Sequence, residues 1–217
     1  MTFDYRIVWE SLPFLFSGAI STMKASGLAI VLATAVGTFM GVIAASGYPP
    51  LAAIQRAYAY IIRGLPLLLL LFLVFFALPL LGLTLPAFTA GVLALGINSG
   101  AYISEAVRSG IQSIEREQWE ASALDGGGVW QTLLKVILPQ TLQRITAPIT
   151  NELIALIKNS SLLAVIAVFE LTRAAQIVSG REFVPFEMYS AAGLIYLVIV
   201  AILTRVSYIF EHRVFSA

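Results

Sequence analysis

The sequence contains no cysteine and few of the charged residues that soluble proteins place on their surfaces. Without cysteine the chain can form neither a disulfide framework nor a thiolate site. Charged residues occupy 12% of the 217 positions, whereas a soluble domain carries about 25%. Hydrophobic residues occupy 59%, and the mean hydropathy is +0.90. This composition leaves too little polar surface for a soluble domain and indicates a membrane protein.

Other absences narrow the function further. A net charge of +1 argues against nucleic-acid binding, which needs clustered cations. The only histidine, His212, has no cluster of candidate ligands around it, so neither a metal site nor catalytic chemistry is expected. The first residues carry Asp4, Arg6 and Glu10 and no short apolar stretch before a cleavage site, so they do not resemble a secretory signal peptide.

The apolar stretches predict an all-α membrane protein with five transmembrane helices in one domain, residues 1–217. A crossing needs about 20 apolar residues, yet the 41 positions from Gly64 to Ser104 contain no charge and are too many for one span. The Gly and Pro residues between Leu81 and Pro86 predict a turn there. The predicted spans are residues 17–46, 51–81, 86–107, 145–169 and 188–208.

The distribution of cations predicts the orientation in the membrane. With the N-terminus outside and the C-terminus in the cytoplasm, the inner segments hold eight Lys and Arg residues. The outer segments then hold three, namely Arg6, Arg173 and Arg181. Positive residues favour the cytoplasmic side, so this orientation is expected.

Small residues recur at every fourth position in two of the spans. Ala33, Gly37 and Gly41 form one such series, and Gly96, Gly100 and Ser104 form another. This spacing lets helix backbones approach closely in lipid, and it predicts helix packing within the subunit or, less favoured, an interface between subunits.

One long polar interruption, residues 115–139, lies between the third and fourth spans on the predicted cytoplasmic side. It is expected to form a helix over residues 115–124, a glycine turn, and a second short helix over residues 129–138 that ends at Pro139. Ten residues are too few to cross a bilayer. Helical geometry alone leaves two interpretations open, a helix lying in the membrane interface or a projection that a partner protein receives.

The interruption resembles the signature loop of the membrane subunits of ATP-binding cassette importers. In that family Glu-Ala-Ala is followed by two or three residues, then Gly, nine residues and Ile-x-Leu-Pro. Here Glu120-Ala121-Ser122 precedes Asp125-Gly126, and nine residues later stands Val136-Ile137-Leu138-Pro139. The departures are Ser122 for Ala and Val136 for Ile. We call residues 115–139 the coupling segment.

Further stretches are similar to the polar amino-acid uptake branch of these importers, namely residues 63–67, 101–114 and 157–162. The resemblance implies a membrane permease without catalytic activity in the bacterial inner membrane. It implies as partners a second permease subunit, identical or different, two cytoplasmic ATPase subunits that hold ATP and Mg, and an extracytoplasmic solute-binding protein. The residues expected to dock the ATPase are Glu120, Ala121, Ser122, Asp125, Gly126, Leu138 and Pro139.

The sequence also bears on the energy source for transport. No G-x-x-x-x-G-K-[ST] loop is present, so the chain is expected not to hydrolyse ATP itself. The alternative is an ion-coupled secondary transporter, with Glu152 and Lys158 as ion or proton sites. Five spans without a visible internal repeat fit poorly with the inverted repeats of many such transporters.

Polar residues within the spans give candidates for the substrate path and a hinge. A central Lys in a span costs about 2.5–3.5 kcal/mol on insertion scales, so Lys158 needs an anion. That anion is either a substrate carboxylate or a structural partner, which is Glu105 or a group of the partner subunit. The predicted substrate path comprises Lys158, Asn159, Ser160, Ser161, Asn98, Ser99, Tyr102 and Glu105. Proline kinks a helix, so Arg63, Gly64 and Pro66 are predicted to form either a hinge or gate, or a fixed kink stabilised by packing.

Overall fold

The computed structural model describes residues 3–46, 48–124 and 128–215, and within these ranges the chain is helical with no strand. This confirms the all-α prediction. The helices are α1 (Tyr5–Ala45), α2 (Pro49–Gly64), α3 (Leu67–Phe72), α4 (Ala87–Gln112), α5 (Arg116–Leu124), α6 (Val129–Thr132), α7 (Leu138–Asn159), α8 (Leu171–Glu182) and α9 (Pro185–Phe215). Short π and 3-10 turns extend three of them, at Leu73–Ala77, Leu78–Leu81, Leu133–Ile137 and Ser160–Ile166.

Four helical segments of the described chain are long and apolar enough to cross a membrane. They are Tyr5–Ala45, Ala87–Gln112, Trp130–Ile166 and Pro185–Ile209. A fifth crossing exists if α2 and the segment Leu67–Leu81 count as one broken span. The second predicted span, residues 51–81, corresponds to this broken pair, and its two halves meet at 103°.

The break in the second span has a local cause. Pro66 has no N–H to donate, and its ring forces the preceding residue out of the helical region. Leu65 is accordingly extended, with φ −94° and ψ 135°, and α2 ends at Gly64. The bend coincides with the predicted hinge residues.

The prediction that Pro139 ends the second short helix of the coupling segment is wrong, because a wide helical turn precedes it and the helix continues. The π turn Leu133–Ile137 runs directly into α7, and the Leu138 N–H donates to the Leu133 carbonyl five residues earlier. Proline normally breaks a helix because it lacks a donor and its ring meets the carbonyl four residues before it. The wider turn moves that carbonyl, so the helix continues through Pro139 into the fourth candidate span.

The α1–α4 interface is built on small residues, as predicted. A Cβ on Gly37 would lie 2.7 Å from the Ile103 Cβ, and one on Gly41 would lie 2.5 Å from the Val107 Cβ. Only glycine permits this separation of the backbones. Because residue numbers rise together on both helices, α1 and α4 run parallel.

The first half of α1 packs against different partners. Asp4 caps α1 by accepting hydrogen bonds from the Arg6 and Ile7 backbones at 3.0 and 3.3 Å. A buried cluster then joins α1 to α8 and α9 through Leu15, Ala19, Leu171, Ala174, Ala175, Met188, Ala191 and Ala192. The starts of α1 and α9 lie together, since the Asp4 N–H donates to Glu187 at 3.4 Å. The coupling segment follows the far end of α4.

Candidate coupling surface and substrate clefts

The coupling segment is a fastened pair of helices. The Ser122 and Thr132 hydroxyls are 2.7 Å apart across the pair, and Gln140 Nε2 donates to Gln118 Oε1 at 2.8 Å. Beneath them, Leu133 and Ile137 are buried with Ile111 and Ile114 from the end of α4. These contacts attach the coupling segment to α4 and α7.

Three of the seven predicted docking residues are exposed on the coupling segment. Glu120 and Ala121 are exposed on α5, where Glu120 pairs with Arg116 at 2.8 Å. Pro139 is exposed and Leu138 is half-buried. Asp125 and Gly126 lie outside the described residues.

Sequence reasoning did not single out an exposed aromatic residue beside this surface. Trp130 is 66% exposed, and it lines a groove of about 800 Å³ together with Trp119, Leu133 and Ile114. Its position within the signature spacing could have drawn attention to it. The groove lies where α1 and α4 end, next to Ser46 and Gln112.

The predicted substrate residues fall into two clefts and a buried group. Lys158 and Ser161 line one cleft, which we call the lysine cleft, and Tyr102 and Glu105 line another, which we call the arginine cleft. Asn98, Ser99 and Ser160 are buried, and the Ser160 hydroxyl donates to the Ile157 carbonyl at 2.8 Å. Asn159 is half-buried. The structure of one chain thus does not bring all the predicted residues together.

The lysine cleft lies between α7, α8 and α9. Its volume is about 380 Å³, and Thr172, Tyr189 and Tyr196 line it opposite Lys158. Lys158 makes no ion pair within the described part of the chain. The two tyrosines were missed, although they stand seven residues apart and therefore share one face of α9.

A buried carboxylate supports the wall of the lysine cleft. Glu170 is 0% exposed and caps α8, accepting from the Thr172 and Arg173 backbones at 2.9 and 2.6 Å. It also accepts from the Tyr196 hydroxyl at 2.8 Å. Thr22 of α1 accepts from the Leu171 N–H at 3.2 Å. Burial, acting against these hydrogen bonds, raises the pKa of Glu170 above its usual range.

The arginine cleft lies between α2 and α4 and measures about 530 Å³. Glu105 is held from two sides, since Oε1 accepts from Gln55 Nε2 at 2.7 Å and Oε2 accepts from Arg108 Nη2 at 2.7 Å. Arg63 lies 5.0 Å from the centroid of the Tyr102 ring, a cation–π contact that orients its guanidinium. Glu105 is thus engaged with Arg108 and Gln55, and the predicted pairing of Lys158 with Glu105 is not formed.

Comparisons with known proteins identify the class. Residues 37–216 match the family described as the binding-protein-dependent transport system inner membrane component. The glutamine transport system permease protein GlnP of Escherichia coli K12 is 34% identical, with 98% of each chain covered. The arginine transport system permease protein ArtQ of Bacillus subtilis is also 34% identical, covering 100% of this chain and 99% of its own.

Solved structures agree with this placement. The crystal structure of an amino acid ABC transporter with histidines superposes with a TM-score of 0.90 at 35% identity, covering 99% of this chain and 100% of the other. The chain therefore belongs to the family of binding-protein-dependent transport system inner membrane components. Within it, the chain is a multi-pass permease subunit of an ATP-binding cassette importer of the bacterial inner membrane.

Proposed function

We propose that this permease carries a polar amino acid across the inner membrane, driven by ATP hydrolysis on partner subunits. The substrate class rests on the relatives, whose names specify glutamine and arginine. Its assembly comprises a second permease subunit, two ATPase subunits that bind ATP and Mg, and a solute-binding protein. The observation that carries the coupling role is the exposed face of Glu120, Ala121 and Pro139 on a segment fastened to α4.

The proposed orientation puts the N-terminus outside and the coupling segment and C-terminus in the cytoplasm. The cation distribution favours it. The helix directions are compatible with opposite ends for the two termini, because α1, α4 and α9 run one way. In α7 the direction is reversed, since Gly110 of α4 lies against Thr141 and Ile145 while Gly91 lies against Leu163.

In the proposed substrate path, Lys158 binds the carboxylate of the amino acid. A lone ammonium inside a span needs an anion, and the described protein supplies none to Lys158. Thr172, Tyr189 and Ser161 add hydroxyls around it. Asn98, Ser99 and Asn159 act from positions deeper in the bundle, and the break at Gly64 and Pro66 serves as the hinge near Arg63.

The decisive experiment is reconstitution with the partner subunits. Liposomes that hold the permease, its ATPase and ATP inside should accumulate radiolabelled L-glutamine or L-arginine when the loaded binding protein is added. Accumulation should stop when ATP is replaced by a non-hydrolysable analogue, and it should persist after an ionophore dissipates ion gradients. Uptake driven by an ion gradient without ATP would overturn the proposal in favour of a secondary transporter.

The docking surface has its own test. Ala121→Leu adds a bulky side chain to the exposed face of α5, and we expect the ATPase to fail to copurify with the permease. Ala53→Leu makes the same change at an exposed position on α2 and serves as the matched control. If both variants retain the ATPase and transport normally, Ala121 does not lie at the contact.

A further inference from the structure

We infer that the arginine cleft is a second amino-acid site, which binds a free zwitterionic amino acid at the end of the bundle that carries the coupling segment. This inference rests on the proposed function, because it takes the transported class of molecule as its ligand. It differs from the proposed substrate path in its location and in the charges that it offers.

The cleft offers both charges that an α-amino acid needs. Arg56 and Arg63 of α2 line it, and neither forms an ion pair within the described part of the chain. Two guanidinium groups without a carboxylate partner suit a ligand carboxylate, which arginine binds through paired N–H groups. Glu105 of α4 lies in the same cleft and suits the α-ammonium.

The acidic group is fixed in place before any ligand arrives. Gln55 is fully buried and binds both Ser104, at 3.1 Å, and Glu105, at 2.7 Å. Arg108 holds the other carboxylate oxygen. Oε2 accepts from both Nε and Nη2 of Arg108, whereas Oε1 has one protein donor, Gln55, and can accept another. Such preorganisation lowers the ordering cost of binding.

The same arrangement argues against other anions. An inorganic phosphate or a phospholipid headgroup would gain from the arginines but would meet the negative charge of Glu105, whose only ion-pair partner in the described chain is Arg108. The volume of about 530 Å³ lies in the usual range for small-molecule sites, about 300–1,000 Å³. A molecule with one carboxylate and one ammonium fits both the charges and the size.

A ligand in the arginine cleft would affect transport, because the cleft lies between two helices. The cations stand on α2 and the carboxylate on α4, so a bound zwitterion joins the two helices. Helix α2 leads directly into the 103° break. Glu105 lies about 10 Å along α4 from the end of that helix at Gln112, at 1.5 Å per residue, and the coupling segment follows that end. A ligand that favours this arrangement of α2 and α4 over others slows the transport cycle. Accumulated amino acid would thereby inhibit its own import.

The test uses the complete transporter in liposomes with the ATPase facing outward and the binding protein with L-glutamine inside. ATP hydrolysis is followed while free L-glutamine, L-arginine or glycine is added outside, where only the ATPase-bearing face is accessible. We expect all three to inhibit ATP hydrolysis, because the site binds the α-carboxylate and the α-ammonium that all amino acids share. N-acetyl-L-glutamine, L-glutamine methyl ester and inorganic phosphate should each require at least a tenfold higher concentration.

Variants locate the effect. Arg56→Gln should raise the half-inhibitory concentration about tenfold or more, since it removes a charged hydrogen bond. The half-inhibitory concentration of Arg56→Lys should lie between those of the wild type and Arg56→Gln, because lysine keeps the charge and loses the paired donors. Arg205→Gln removes an exposed arginine of α9 and is the matched control. Arg63→Gln should weaken binding in the same way. Because Arg63 also lies at the proposed hinge, this variant is measured only by equilibrium binding of radiolabelled L-glutamine to the outward face.

Three outcomes overturn the site: no inhibition by free amino acids, unchanged inhibition in Arg56→Gln, or equal potency of phosphate. Failure of the proposed function is recognised separately, because then ATP-driven uptake itself is absent. A transporter that accumulates L-glutamine normally and ignores amino acid on the ATPase side contradicts only this inference.

Discussion

The two clefts differ in how their acidic groups are used. In the lysine cleft the carboxylate of Glu170 is buried behind the wall, where it accepts hydrogen bonds from neutral donors. In the arginine cleft Glu105 is part of the lining and already pairs with Arg108. The lysine cleft therefore presents one positive charge to a ligand, and the arginine cleft presents charges of both signs. We expect ligand binding in the lysine cleft to depend on the hydrogen bonds that Glu170 makes behind the cleft. Binding in the arginine cleft should depend on the charged side chains that line it.

Removing the Glu170 carboxylate behind the lysine cleft should have the largest effect, which is a loss of folding stability. Glu170→Ala deletes the cap of α8 and leaves two backbone N–H groups and the Tyr196 hydroxyl without their acceptor. The lost cap, which includes both backbone N–H groups, costs about 1 kcal/mol, and the lost acceptor of the Tyr196 hydroxyl costs about 1–3 kcal/mol. We therefore expect a loss of roughly 2–4 kcal/mol. Thermal unfolding of the detergent-solubilised permease would show it.

The control for this change lies on the same helix. Glu182→Ala alters an exposed glutamate at the other end of α8 and should shift stability by less than about 0.5 kcal/mol. If the two variants unfold at the same temperature, the network around Glu170 contributes nothing to the fold.

The second largest effect is expected from removing the cation of the lysine cleft, Lys158, which should weaken substrate binding. Lys158→Met keeps most of the length of the side chain and removes its charge, and a hydrogen bond to a charged group contributes about 1.5–3 kcal/mol. The half-saturating substrate concentration for uptake should rise by roughly tenfold or more, at 1.4 kcal/mol per decade. Lys24→Met is the control, because Lys24 lies in the apolar groove between α1 and α9. Unchanged half-saturation in an assembled transporter would rule Lys158 out as the anchor.

A smaller effect is expected from pH. Because burial raises the pKa of Glu170 above its ordinary 4.5, the folded protein holds this proton more tightly than the unfolded chain does. The resulting stabilisation is fully present below pH 4.5 and is lost as the pH rises through the raised pKa. Glu170→Gln has no proton to lose.

Melting temperatures of the wild type and Glu170→Gln between pH 4 and pH 8 would therefore converge, or cross, as the pH rises. The wild type loses stability over this range through Glu170, and the variant does not. A difference that stays constant with pH would show that the Glu170 carboxyl does not titrate differently in the folded state.

The sequence predicted the features that depend on local spacing. The four-residue repeat around Gly37 and Gly41 predicted a close helix contact, and the structure shows it with α4. The helix over residues 115–124 differs from α5 by one residue at its start. These patterns are readable because the partners within a helix lie three or four residues apart.

Features that depend on distant pairing or on an altered helical turn were missed. Glu170 meets Tyr196 26 residues later, and the Leu171 N–H meets Thr22 across 149 positions. The π turns at Leu73–Ala77 and Leu133–Ile137 each precede a Leu-Pro pair, Leu78-Pro79 and Leu138-Pro139. Proline predicts a helix end, and only the backbone shows that a widened turn accommodates it.

The smallest expected effect compares the two tyrosines of the lysine cleft. Tyr196 hydrogen-bonds to Glu170 at 2.8 Å and its hydroxyl lies 3.1 Å from that of Thr172, whereas the described chain gives the Tyr189 hydroxyl no partner. A buried hydrogen bond contributes about 0.5–1.5 kcal/mol, so Tyr196→Phe should lower the stability by about that amount and Tyr189→Phe should leave it unchanged. Thermal unfolding of both variants under identical conditions gives the comparison.

Transport should respond in the opposite order. The Tyr189 hydroxyl is free for a ligand, so Tyr189→Phe should raise the half-saturating substrate concentration a few-fold, in line with one neutral hydrogen bond of about 1 kcal/mol. Tyr196→Phe should change it less, because the Tyr196 hydroxyl is already committed to Glu170. If Tyr196→Phe weakens half-saturation more than Tyr189→Phe does at equal stability, then Tyr196 binds substrate directly and Glu170 orients it, and the wall of the lysine cleft belongs to the binding site.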